Sequence, residues 1–313
     1  MEDRKLTQPP VPIILDTDIG PDCDDAGALA LALVLERMGE AALLAVMHCT
    51  SSVWGPGCIG AMTAYFGRAE IPVGTLKSAG FLTGEEYEKY NRYLCLHFPT
   101  PYPPSAGVPD AVRLYRSILC GRSDREAVVV AIGPLTNLAR LLRSGPDDLS
   151  PLTGRQLVEE KVRLLAGMGG AFPCGKEWNF ESDPEAADTV VRTWPTPMVF
   201  SGFEIGNEIQ TGGVPGPETL PVPLNPLRAA YRLFTGGPPR MSWDLTAVLY
   251  AVRGLRDFWS LEAPGEIEVD AEGGNRWRPA SAGRAGYLKR KKDPLYIAEE
   301  LDGLLGRFHT EHA

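Results

Sequence analysis

The chain has 313 residues, 44% of them hydrophobic and 23% charged, enough to bury a large core. Its formal charge of −9 and pI near 5.1 argue against a surface built to hold nucleic-acid phosphates, which rests on clustered Lys and Arg; a small neutral or cationic substrate fits better. No apolar run approaches the roughly 18 residues of a membrane span, the polar stretch 1–10 does not read as a signal peptide, and the dispersed cysteines lack a C-x-x-C pair and suit reduced thiols, so a cytoplasmic location is expected.

Residues 11–16 (VPIILD) form a short apolar run rich in β-branched residues, followed by a Gly/Asp turn and an Ala/Leu-rich stretch from Asp25 to about Arg37. That reads as strand, loop, helix. The same alternation recurs at 42–50 before a helix over 56–69, at 126–133 before PLTNLARLLRS, and at 161–169 before DPEAADTVVRT, with a further strand over 196–206. It predicts an α/β fold, one domain over 1–313, with a mainly parallel open sheet and helices on both faces. In such a sheet the ligand crevice lies outside the carboxyl ends of the strands. Three stretches break the pattern. The Pro- and Tyr-rich segment 78–107 reads as a long excursion near the site mouth and not as a core element, 211–226 as a Pro/Gly loop, and 265–287 as a polar hairpin.

Asp16, Asp18, Asp22, Asp24 and Asp25 fall within ten residues, in DTDIGPDCDD, at the carboxyl end of the first strand. Carboxylates packed into one loop repel one another unless a cation sits among them, and carboxylate oxygens are what Ca²⁺ or Mg²⁺ require. The competing reading is that some of them, Asp22 above all, cap the following helix, whose dipole favours acids.

The segment IILDTDIGPDCDDAGALALAL resembles the signature of the inosine-uridine-type nucleoside hydrolases, in which a first strand ends in D-x-D-x-G and leads to D-D-A. Two extra residues precede the Asp24–Asp25 pair, as in a divergent branch. Three further segments follow in the family's order. AIGPLTNLA (131–139) is similar to a strand-to-helix loop whose backbone carbonyl, here that of Ile132, adds a metal ligand. EWNFESDPEAA (177–187) is similar to the ribose-binding segment, and SWDLTAVLYAV (242–252) to the late helix start that supplies a last carboxylate, Asp244. The resemblance implies a Rossmann-like nucleoside hydrolase fold and Ca²⁺-dependent hydrolysis of ribonucleosides to free base and ribose, by a homodimer or homotetramer. It implies Ca²⁺ held by Asp18, Asp25, Asp244 and the Ile132 carbonyl, with Asp18 as base for the attacking water. Asp24 would then meet the ribose 2-hydroxyl, and Glu177, Asn179 and Asp244 the rest of the sugar.

Two departures from the family bear on the leaving base. Where many members place a His before the final Asp, this chain has Trp243, and its glycine segment 167–176 is short, with no obvious ribose-binding Asn. Trp243 can stack on a purine without donating a proton, helped by Trp178 or Phe172, or it can pack on the helix that follows. Of the histidines, His48 sits at a strand end, His309 and His312 lie near the C-terminus, and His97, in the 78–107 excursion, is the remaining candidate donor. Plain structural readings stand beside the others: Asn137 as a helix-turn residue, Glu177 as a surface acid, Asp244 as an N-cap, and KRKK (289–292) as a solvated face. Two other activities compete. A strand ending in Asp16–Thr17–Asp18 also resembles the nucleophile loop of haloacid-dehalogenase-type phosphatases, although no lysine or later acidic pair matches. A non-catalytic nucleoside- or sugar-binding protein would keep the ribose site alone.

Overall fold

The computed structural model describes residues 9–104, 106–213 and 225–309. Most of the Pro/Gly loop expected at 211–226, and His312, lie outside the described residues. The strands are β1 (Val11–Thr17), β2 (Ala41–His48), β3 (Val73–Thr75), β4 (Ala127–Ala131), β5 (Val162–Met168), β6 (Cys174–Lys176), β7 (Met198–Ser201), β8 (Gln210–Thr211), β9 (Arg240–Met241), β10 (Trp259–Val269), β11 (Gly274–Pro279) and β12 (Ala285–Arg290). One ten-stranded open sheet runs in the order β3-β2-β1-β4-β5-β7-β12-β10-β11-β6, and β8 pairs with β9 apart from it. From β3 to β12 every neighbour is parallel; from β12 through β10 and β11 to β6 the pairing is antiparallel.

The continuous apolar strands have this arrangement as their consequence. Side chains alternate across a strand, so Ile13, Leu15, Val128 and Val130 enter one buried cluster, while Ile14 and Val129 enter the other. Each face therefore needs its own helices. Helix Asp24–Arg37 is buried at every position from Asp24 to Leu35, because helices Trp243–Arg253 and Pro294–His309 pack against it; that is why it is apolar all round. Helices Ala111–Cys120, Thr136–Arg143 and Pro184–Thr193 supply the second cluster.

Three sequence expectations are corrected. The strand expected over 196–206 stops at Ser201, and Gly202 opens a short helix, Phe203–Gly206; a Cβ on Gly202 would lie 2.6 Å from the Glu204 carboxylate that turns back over it. The 78–107 excursion does enter the core. Its helix Asn91–His97 buries Leu94 and Cys95 against helix Gly55–Tyr65, where glycines make the room: a Cβ on Gly57 would lie 2.1 Å from Cys95 Sγ, and one on Gly60 2.4 Å from Thr100 Oγ1. Finally, 265–287 holds more than a hairpin, since β12 inserts between β7 and β10 and joins the antiparallel strands to the parallel ones.

From β1 the chain runs to β2 and β3 on one side, then crosses to β4 on the other. The carboxyl end of β1 is thus the point where strand order reverses, which is where open α/β sheets bind ligands.

Candidate active site

A cavity of about 470 Å³ opens at that point, and Asp18, Asp24, Asp25, Ile132, Glu177, Asn179, Trp243 and Asp244 all line it. Local chemistry brings them there. The Thr17 hydroxyl ends β1 by donating to the Asp25 carboxylate while accepting from the Ile19 backbone N–H at 3.1 Å, which ties the acidic loop to the first turn of its helix. After β4 the chain needs a glycine. A Cβ on Gly133 would lie 2.7 Å from Asp18 Oδ1 and 2.7 Å from Cys49 Sγ, so no larger residue fits without moving Asp18. Asp24 Oδ2 accepts from the backbone N–H groups of Trp243 (3.0 Å) and Asp244 (3.1 Å), so an acid of one helix caps another and seats Asp244 beside itself. Asp244 is not an N-cap; that position is Ser242.

Carboxylate oxygens of Asp24, Asp25 and Asp244, all buried, lie within 4.8 Å of one another. Asp18 lines the cavity outside this close group. Burial raises all four carboxyls, Asp18 to about 7 and the other three well above the ordinary range, and repulsion from neighbouring acids, Asp22 among them, adds to the rise. Among the described residues no Lys or Arg forms an ion pair with any of them. Asp22 is different: it pairs with Arg240 and does not cap the helix. Crowded, buried, unpaired acids are stable together when a cation takes the place of their protons, and the all-oxygen donor set fits a hard divalent ion.

The other predicted residues divide. Glu177 is buried, and its carboxylate accepts from the backbone N–H groups of Asn179 (2.8 Å), Gly170 (2.8 Å) and Phe180 (3.4 Å) as the cap of helix Trp178–Ser182. Burial still raises its pKa to about 7 against those bonds. It is therefore no surface acid. Asn179 Nδ2 donates to the carbonyls of Ile132 (3.3 Å) and Met168 (3.1 Å), joining the ends of β4 and β5. Asp16 stays behind the cavity, held by Tyr115 Oη (2.8 Å) and by Asn137, whose Nδ2 also reaches the His48 carbonyl (3.3 Å); Asn137 is structural.

Trp243 donates its indole N–H to the Phe203 carbonyl at 2.9 Å and lies 5.7 Å from the Phe203 ring, nearly parallel to it. Trp178 lines the cavity and faces Tyr87, while Phe172 is buried against Tyr287 away from it. His97 lies tilted against Tyr93, ring centres 4.2 Å apart, on an exposed surface and is not part of the cavity wall. His48 is buried between Thr75 and Thr50, its pKa driven down to about 3. In KRKK, Lys289, Arg290 and Lys292 pair with Glu262, Glu208 and Asp257, a solvated face as expected. Sequence reasoning missed Arg240, Phe203, Phe234 and Tyr87 in the wall. Arg240 alone had a signal, standing three residues before Trp243.

Comparison with known proteins identifies the family and the fold. The family model for inosine-uridine preferring nucleoside hydrolases matches residues 13–276. The non-specific ribonucleoside hydrolase RihC of Escherichia fergusonii is 26% identical over 288 residues, 84% of this chain and 85% of that one; other RihC chains are matched over 63% of their length. Among solved structures, a plant nucleoside hydrolase superposes with a TM-score of 0.68 at 21% identity, over 95% of this chain and 99% of the other. A purine-preferring ribonucleoside hydrolase from Gardnerella vaginalis gives 0.70 at 17%, over 96% and 100%. These structures share the fold, and the phosphatase alternative falls with the family match. Among the described residues no helix is long and apolar enough to cross a membrane. The chain belongs to the inosine-uridine preferring nucleoside hydrolase family, metal-dependent hydrolases that act on N-glycosyl bonds.

Proposed function

We propose that the protein, acting as one catalytic unit, hydrolyses ribonucleosides in a calcium-dependent reaction that yields free base and ribose. One observation carries this reading: acids from distant segments converge, buried and without cationic partners among the described residues, at the switch point of the sheet. Asp18, Asp25, Asp244 and the Ile132 carbonyl are the proposed ligands. Carboxylates joined by a backbone carbonyl suit the flexible oxygen coordination of Ca²⁺ better than the strict octahedron of Mg²⁺. When bound, the ion offsets the clustered charge and lowers the pKa of a water.

Asp18 takes the proton of the attacking water. Asp24 Oδ2 is spent on two backbone N–H groups, which leaves Oδ1 for the ribose 2-hydroxyl. Glu177 holds Asn179 in place and, with Asn179 and Asp244, meets the remaining sugar hydroxyls. The sugar becomes cationic as the bond breaks, and this buried acidic wall favours that charge. Trp243 offers the base a face and no proton, its N–H being committed to Phe203. All cysteines are free, which supports a cytoplasmic location; a homodimer or homotetramer is the expected assembly.

The test is a screen of the common nucleosides with chelator-stripped protein, given Ca²⁺ or Mg²⁺, reading free base and reducing sugar. Base release that returns with Ca²⁺ is the expected result. Release that survives stripping, or none with Ca²⁺ present, would refute the proposal.

A further inference from the structure

Arg240 is a cation in the cavity wall to which the reaction just described gives no task. Its Nε donates to both Asp22 carboxylate oxygens, at 3.0 and 3.1 Å, and its Nη2 to the same carboxylate. The guanidinium carbon stands 5.0 Å from the centre of the Trp243 ring and 5.3 Å from that of Phe234, and all three residues line the cavity. One edge of a flat cation is thus pinned by Asp22 while its plane lies near two aromatic rings. Nη1 donates to no described residue, and the side chain is 27% exposed. Lys176, the other cation of the wall, is 54% exposed and lies 3.6 Å from Glu181.

Resting on the nucleoside reading, we propose that Arg240 is the specificity-determining residue for the leaving base: its free Nη1 donates to a carbonyl oxygen of that base, so nucleosides of hypoxanthine, guanine or uracil are preferred over adenosine, whose base has no carbonyl. The chemistry follows from charge. As the C1′–N bond breaks, its electron pair goes to the base, water adds its oxygen to C1′, and the water's proton goes to Asp18. An oxo base spreads the arriving negative charge onto its carbonyl oxygen. A guanidinium does not deprotonate near neutral pH, so Arg240 gives the base no proton; it strengthens a hydrogen bond as the charge arrives, and the base collects its proton from water afterwards. Because Asp22 and the rings already fix the guanidinium, little ordering remains to be done at the moment of reaction. The paired acid also leaves Arg240 poorly suited to an anionic phosphate and well suited to a neutral carbonyl.

The experiment compares the parent with Arg240→Met, which keeps an apolar stem near the rings, and Asp22→Asn, which loosens the pin but keeps the guanidinium. Each is assayed on inosine, adenosine and p-nitrophenyl riboside. Arg240→Met should lower kcat for inosine by at least about tenfold, the scale of one charged hydrogen bond, and leave adenosine and p-nitrophenyl riboside within about threefold. Asp22→Asn should keep the parent's order of substrates. Equal loss on all three substrates in Arg240→Met would overturn the proposal and make Arg240 a tether for the acidic loop. A parent that turns over none of the three would overturn the nucleoside reading and this inference with it; a parent active on all three, with an unselective Arg240→Met, overturns only the role of Arg240.

Discussion

Replacing Glu177 by Gln removes a charge and almost no volume, and the structure sets the size of the effect. One carboxylate oxygen accepts from Asn179 N–H at 2.8 Å; the other accepts from Gly170 N–H at 2.8 Å and Phe180 N–H at 3.4 Å. A glutamine has one oxygen. Whichever way the amide turns, its NH₂ faces at least one backbone N–H, and a buried donor left without an acceptor costs about 1–3 kcal/mol. Removing a carboxylate whose burial already raises its pKa to about 7 returns part of that, so the net loss should be about 1–2 kcal/mol. For a chain of this size that lowers Tm by about 1.5–3 °C. Helix Trp178–Ser182 carries Asn179, which bridges the ends of β4 and β5, so loosening the cap should raise KM for every ribonucleoside without reordering the bases. Thermal melts with bound calcium and steady-state kinetics on several nucleosides read both effects. An unchanged Tm would show that the cap carries no stability, and a reordered base preference would show that the segment faces the base.

Asp18→Asn should leave the melt close to the parent's and lower kcat by at least about a hundredfold, the lower end of what a positioned general base supplies; undiminished turnover removes Asp18 from the reaction. Gly133→Ala places a methyl 2.7 Å from both Asp18 Oδ1 and Cys49 Sγ, so kcat should fall by about tenfold or more, and full activity would mean that the wall yields freely. The pH dependence of metal-free protein has a definite sign. Asp18, Asp24, Asp25 and Asp244 have folded-state pKa values above their unfolded ones, so the folded state holds more protons; their contribution to stability is complete below an unfolded pKa of about 3.9 and is lost as pH rises through about 7 and beyond. In chelator, Tm should therefore fall between about pH 5 and about pH 8, and added Ca²⁺ should raise it more at the upper end. A flat or rising Tm in chelator would contradict the crowding argument.

What the sequence made legible follows from periodicity and from chemistry confined to one segment. VPIIL (11–15) and AVVVAI (127–132) are apolar at every position because both faces of the strand are covered, and that alone separates a parallel sheet from an exposed one. The Asp cluster was equally plain, since acids so close together in the chain must be close in space. Legibility ended where a residue's role depends on a partner far along the chain. Glu177 is not a usual capping residue, and only the glycine turn folded back over it shows that it binds three N–H groups. The 78–107 excursion reads as loop by composition, yet it packs because distant glycines open a space for Cys95 and Thr100.

Asp22 is the clearest case of this kind. By position, next to a helix start, it reads as a cap or as one more metal ligand. In the structure it does neither, because Arg240, 218 residues away, takes both of its oxygens. The two side chains stay only about a quarter exposed, yet desolvation and the ordering of both offset much of their attraction, so as a stabilising contact the pair is worth about 1 kcal/mol. Its value is positional. It withdraws one acid from the cluster, which leaves fewer charges for a cation to offset, and it holds a permanent positive charge near the ring of Trp243, the residue that stands where the family resemblance leads one to expect a histidine. A histidine can assist a leaving base by giving up its proton, whereas a pinned guanidinium can only lend its charge. If this chain lacks the first device and carries the second, the rate of hydrolysis should depend on how well the departing base bears negative charge, and not on the titration of a neutral-range acid.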